Sequence, residues 1–152
     1  LALISGPEPH RSLFEKELEN RLVNSAKQVL MVCGKPSSKI EVGEEKNIRK
    51  VDHLTSKELF FSLKNCKHII SRSGYSTIMD LAVLGKKAFF IPTPGQFEQE
   101  YLAESIERKG IAPFSKQQDF TLKKLNEIEN YSGFSRSKTK IDLNLFNLFK
   151  SE

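Results

Sequence analysis

Ser71-Arg72-Ser73-Gly74-Tyr75-Ser76-Thr77 carries the chain from an apolar strand pattern, His68 to Ser71, into a helical one through a hydroxyl-rich turn with one glycine. A turn of this kind leaves backbone N–H groups without intrahelical acceptors at the positive end of a helix, and that arrangement binds phosphate. Gly74 permits close backbone approach, and Ser73, Ser76 and Thr77 can cap the helix or donate to phosphate oxygens. A plain N-cap is the competing reading of the same residues. Asp80, one helical turn after Ser76, is placed to accept hydrogen bonds from a ribose diol, or simply to complement the helix dipole.

Two further turns have the residue types for ligand chemistry. Ser5-Gly6-Pro7-Glu8-Pro9-His10-Arg11 also joins a strand to a helix, so Gly6 and Arg11 offer a second anion contact, with a structural turn as the alternative. It is neither a GxGxxG fingerprint nor a P-loop, both of which need more glycines at fixed spacing. Pro92-Thr93-Pro94-Gly95 is a stiff turn that leads into Gln96-Phe97-Glu98-Gln99-Glu100, where Glu98, Gln99 and Glu100 are the neighbours that sugar hydroxyls need. A solvated helix start explains that stretch equally well.

Other chemistries fail on residue order. A serine-hydrolase elbow needs glycine two positions before the nucleophile and a histidine downstream; Ser71 stands in the glycine position of Ser73, and no histidine follows His68. His10, His53 and His68 are dispersed and lack zinc-type spacing, so no metal is expected.

Positioning these turns requires alternating strands and helices. Short apolar runs at residues 1–4, 28–33, 48–54, 68–71 and 88–91 read as strands, with Ile111 to Phe114 as a last short one. Helical patterns separate them. One carries Leu13, Phe14, Leu18 and Leu22; one starts at a Thr55–Glu58 capping box and runs to about Asn65; one follows Gly74 and closes at Gly85. The next, from Glu98 to Lys109, has Tyr101, Leu102, Ser105 and Ile106 facing inward. Residues 119–130 and 140–150 read as terminal amphipathic helices. The predicted fold is therefore α/β, a Rossmann-like parallel sheet of about six strands with helices on both faces, in a single domain over residues 1–152. In such sheets ligands sit beyond the carboxyl ends of the strands.

Composition adds bounds. The chain has 152 residues, 38% of them hydrophobic and 28% charged, as an ordinary globular domain does. No apolar run approaches the roughly 18 residues of a membrane span. The net charge of +5 favours polyanions, but Lys and Arg are scattered and no aromatic-basic stacking face appears, so no nucleic acid is expected. Cys33 and Cys66 lie in apolar patterns, which reads as a reduced, cytoplasmic chain. The abrupt start, inside a strand and without Met, reads as an excised domain.

The order Ser71-Arg72-Ser73-Gly74, Thr77-Ile78, Asp80-Leu81, Gly85, Ile91-Pro92 and Glu98-Gln99 resembles the C-terminal domain of family-28 glycosyltransferases, the MurG-like branch of the GT-B superfamily. The pattern covers roughly residues 1–115, and its specific part is Ser71 to Ala103. The resemblance implies the C-terminal half of a two-domain GT-B enzyme, which binds the nucleotide-sugar donor, with the N-terminal acceptor domain as its absent partner. By position, Gly74, Tyr75, Ser76 and Thr77 would meet the donor phosphates. Asp80 stands where the family carries Glu for the ribose. Gln99 matches the first glutamine of a sugar-contacting pair, whereas Glu100 takes the second place. His53 and Leu54 lie near the uracil-contacting segment, and Arg72 or Arg11 is the nearest arginine to a leaving diphosphate.

The resemblance further implies an inverting, metal-independent and cofactor-free transfer of a hexose from a UDP-sugar, of the UDP-GlcNAc or UDP-galactose class, to an acceptor hydroxyl. The general base would come from the N-terminal half, so no catalytic residue is expected here and the chain alone would bind donor without turnover. Any peripheral membrane association would run through the missing half. A GT-B-like nucleotide-sugar epimerase or hydrolase is the alternative enzyme reading.

Overall fold

The computed structural model describes residues 1–35 and 42–135. The expected helix at 140–150 lies outside them. Six strands form one sheet in the order β3-β4-β2-β1-β5-β6: β1 (Ala2–Leu3), β2 (Val29–Val32), β3 (Val42–Glu45), β4 (Ile48–Val51), β5 (Ile70–Ser71) and β6 (Phe89–Phe90). All neighbours are parallel except β3, which runs antiparallel to β4 at the edge. The helices are α1 (His10–Leu22), α2 (Ser56–Asn65), α3 (Tyr75–Leu84) and α4 (Phe97–Arg108).

Side-chain alternation along the short central strands divides the core in two. Ala2, Met31, Ile70 and Phe89 face Phe14, Leu18 and Leu22 of α1, together with Phe120, Leu125 and Ile128. Ile69, Phe90 and the half-buried Leu3 face the other way, onto Leu63 of α2, Leu81 of α3 and Ala103 and Ile106 of α4. A strand shows successive residues to opposite sides, so strands buried on both faces must be apolar throughout, as these are. Each fully buried Phe or Leu contributes about 1.5–3 kcal/mol of transfer free energy, and Phe89 and Phe120 also meet ring to ring at 5.3 Å.

Three expectations need correction. Strand β3 was not foreseen, because an edge strand needs only backbone pairing with β4 and Val42-Gly43-Glu44-Glu45 has no apolar alternation. The run 119–130 is not α-helical: it forms 3-10 turns at Gln117–Asp119 and Leu122–Asn130. Leu122, Leu125 and Ile128 press on the core at a strict spacing of three, the period of a 3-10 helix. Ile111 to Phe114 reaches the sheet only as a bridge between Phe114 and Phe90, since Pro113 has no N–H for a ladder.

The chain builds outward from β1 to β2 and β4 with α1 on one face, then returns through α2 on the other face to place β5 on the far side of β1. The direction of winding thus reverses between β1 and β5, and the crevice at such a switch point is where ligands bind in doubly wound sheets. The turns after β1 and β5 both open there.

Candidate functional site

At the switch point the α3 mouth is open. Gly74 is the N-cap in extended conformation, no side chain caps the helix, and no acid lies in its first turn. The first intrahelical bond runs from Ile78 N to Gly74 O at 3.1 Å, so the amides of Ser76 and Thr77 have no acceptor within the helix. Ser76 is exposed and Thr77 half-buried. A Cβ added at Gly74 would meet no atom within 4 Å.

The other helix ends differ. At α1, Glu8 fills the place of an anion: its carboxylate accepts from Ser12 N at 3.2 Å and Ser12 Oγ at 2.9 Å and pairs with Arg11. The Ser12 hydroxyl and the Arg11 guanidinium hold the Glu8 carboxyl below its ordinary value. Arg11 also donates to Cys33 O at 3.1 Å. At α2, Thr55 and Glu58 close the capping box, Thr55 N donating to Glu58 Oε2 at 2.8 Å and Glu58 N to Thr55 Oγ1 at 3.3 Å. At α4, Glu98 and Glu100 stand in the first turn. Of the four α-helices among the described residues, α3 alone starts with neither cap nor carboxylate.

Side chains around the mouth are used to hold it in shape. Arg72 is 0% exposed. Its guanidinium donates to Ile91 O at 3.1 Å, Pro92 O at 2.9 Å and Gln117 Oε1 at 2.7 Å, and lies 3.7 Å above the Phe14 ring. Burial pushes its pKa down to about 10, which leaves it charged at neutral pH. Arg72 therefore braces the loop after β6 from within the core, and Arg11 is held by Glu8 and Cys33 O. Ser73 is also buried, and its hydroxyl donates to Gln99 O at 2.7 Å, tying α3 to α4.

Gln99 and Glu100 shape the turn before α4. Thr93 N donates to Gln99 Oε1 at 2.9 Å and Gly95 N to Glu100 Oε1 at 3.1 Å. One groove, lined by Gly74, Tyr75, Gln96, Phe97, Glu98 and Gln99, joins the α3 mouth to the start of α4. Asp80 points elsewhere, into a groove between α2 and α3 that it shares with Ser56, Leu59 and Val83. Ser56 follows the half-buried His53 and Leu54 by two residues, and His53 Nδ1 is buried with no hydrogen-bond partner. The backbone at Gly6 has φ +111°, and a Cβ there would approach the buried Thr93 hydroxyl at 3.7 Å.

The sequence reading missed two exposed aromatics. Phe97 is 87% exposed and Tyr101, expected inward, is 63% exposed. The buried stripe of α4 runs instead through Ala103 and Ile106. The spacing of four between Phe97 and Tyr101, directly after a Pro-Gly turn, was the available signal. Gln117 was invisible to sequence because it completes a chain from Arg72 to Glu17, which accepts from Gln117 Nε2 at 2.6 Å across 100 positions.

Among the described residues no group of three or more His, Cys, Asp or Glu converges as a metal site would require, and no helix is long and apolar enough to cross a membrane.

The family model described as glycosyltransferase family 28 C-terminal domain matches residues 11–131. A UDP-N-acetylglucosamine–N-acetylmuramyl-(pentapeptide) pyrophosphoryl-undecaprenol N-acetylglucosamine transferase from Buchnera aphidicola subsp. Schizaphis graminum is 38% identical over 84 residues, 52% of this chain and 24% of that protein. The protein of the same name from Methylobacterium radiotolerans is 39% identical over 59 residues, 38% of this chain and 16% of its own length. The chain thus matches only a minor part of each relative. Among solved structures, the glycosyltransferase SnogD from Streptomyces nogalater superimposes with a TM-score of 0.59 at 15% identity, over 84% of this chain and 32% of that one. Glycosyltransferase VinC, solved with DTDP, gives 0.56 at 18% identity, over 85% and 32%. At these identities the likeness shows the fold alone, shared with about a third of each of these glycosyltransferases.

Proposed function

The chain belongs to the glycosyltransferase family 28 C-terminal domains, and from that premise we propose that it is the donor-binding half of an inverting, metal-independent glycosyltransferase that moves a hexose from a UDP-sugar, of the UDP-GlcNAc or UDP-galactose class, to an acceptor hydroxyl. The observation that carries the reading is the open mouth of α3 at the switch point, uncapped and free of acids where every other α-helix among the described residues has one or the other. Leaving a helix end uncapped forgoes about 1 kcal/mol, and functional sites are where such concessions collect.

In this reading the diphosphate lies on the amides of Ser76 and Thr77, with Gly74 admitting it to backbone distance. These dipoles are fixed before the reaction, so charge that develops on the leaving UDP as the glycosidic bond breaks meets a preorganised positive field. Asp80 takes the ribose hydroxyls from the α2 side, and His53 and Leu54 flank the base. Arg72 and Ser73 act as braces. The hexose extends along the groove toward Gln99 and Glu98. The acceptor, the general base and any membrane contact belong to the domain outside this chain.

Calorimetric titration of the chain with UDP tests the proposal. Binding between micromolar and millimolar is expected, and silence with UDP, UDP-GlcNAc and UDP-galactose alike overturns it.

A further inference from the structure

Phe97 is the most exposed large apolar residue among the described residues, and nothing in the fold accounts for it. Its ring is 87% exposed at the first position of α4, so it adds no core packing. Phe is also a mediocre helix former. Tyr101 stands one turn further along, and Tyr75, 43% exposed, stands across the groove at the start of α3. Phe97 and Tyr75 line the same groove as Gly74, Gln96, Glu98 and Gln99.

The groove therefore pairs two exposed rings with two carboxamides and a carboxylate, next to the helix end assigned to the diphosphate. The Gln96 and Gln99 carboxamides already hydrogen-bond each other, but an acyl chain or an apolar protein face would strand the Glu98 carboxylate. A pyranose suits the groove, because it has an apolar face of C–H bonds and a rim of hydroxyls, and binding sites for such molecules combine aromatic walls with a few placed polar groups.

We infer that Phe97 is a specificity-determining residue: its ring is the plate against which the C–H face of the donor hexose lies, while Gln99 and Glu98 address the hydroxyls. This rests on the nucleotide-sugar reading above and adds a residue to it. Tyr75 closes the groove from the α3 side.

The experiment is calorimetry of the chain with UDP, UDP-GlcNAc and UDP-galactose, for the wild type and for Phe97→Ala and Phe97→Tyr. Loss of one aromatic contact predicts about a three- to tenfold weakening of at least one UDP-hexose in Phe97→Ala. UDP itself should stay within about twofold, as expected of an exposed substitution away from its contacts. Phe97→Tyr, which keeps the ring, restores hexose affinity. If the wild type binds UDP but Phe97→Ala leaves every UDP-hexose unchanged, or weakens UDP as much as the hexoses, the plate is overturned and the donor site survives. If the wild type binds none of the three, both readings fall together. Because the side chain is exposed, the variants fold, and a matching thermal transition verifies this.

Discussion

The turns after β1 and β5 stand side by side at the switch point, each with a serine and a glycine between strand and helix, and they treat their helix ends in opposite ways. The first is plugged by its own chain: Glu8 occupies the anion position, held by Ser12 and Arg11. The second has no such side chain, and the residues that could have filled it are drawn off. Ser73 is spent on Gln99 O and Arg72 on the loop after β6. The difference teaches that glycine and hydroxyls mark a place where an anion can be held, whereas the disposition of nearby carboxylates decides whether the place is vacant.

The strongest way to break the comparison is to remove the brace behind the open turn. Arg72→Met strands the Ile91 and Pro92 carbonyls and should cost about 3–5 kcal/mol, read as a shifted midpoint in urea. A loss under about 1 kcal/mol would mean that the loop after β6 holds itself.

Gly74→Leu sharpens it. The backbone there is extended and a Cβ finds open space, so stability should change by less than about 0.5 kcal/mol, while UDP binding falls at least about tenfold, or 1.4 kcal/mol. Retained UDP affinity with lost stability would make Gly74 a structural cap. The plugged turn offers the contrast, since Gly6 has φ +111° and resists any side chain by backbone strain.

Glu8→Gln is the smallest test. The folded carboxyl of Glu8 sits below its ordinary value of 4.5. Its stabilisation is therefore complete above that value and is lost as pH falls through the lower, folded one. The wild type should lose more stability than Glu8→Gln between neutral pH and the acid range, measured by thermal melts. Equal acid sensitivity would show that the plug carries no ionic component.

Much of this was legible in the residues. Unbroken apolar runs such as Val29-Leu30-Met31-Val32 could belong only to strands covered on both sides, and the Thr55–Glu58 capping box and the Gly85 stop fixed α2 and α3 because caps are local chemistry. The Ser73–Gly74 turn announced a helix start at a sheet edge for the same reason. The site was less readable. Tyr101 looked like part of an inward stripe until the packing of Ala103 and Ile106 set the rotation of α4.

What the sequence determined by itself is the set of elements, their alternation and the turns between them, since each depends on residues within one or two helical turns. Which arginine braces and which turn stays open was decided only by the tertiary structure. Arg72 is a brace because Phe14, Pro92 and Gln117, distant in the chain, converge on its guanidinium. A buried charge takes its role from whatever surrounds it, and those surroundings exist only once the sheet has formed.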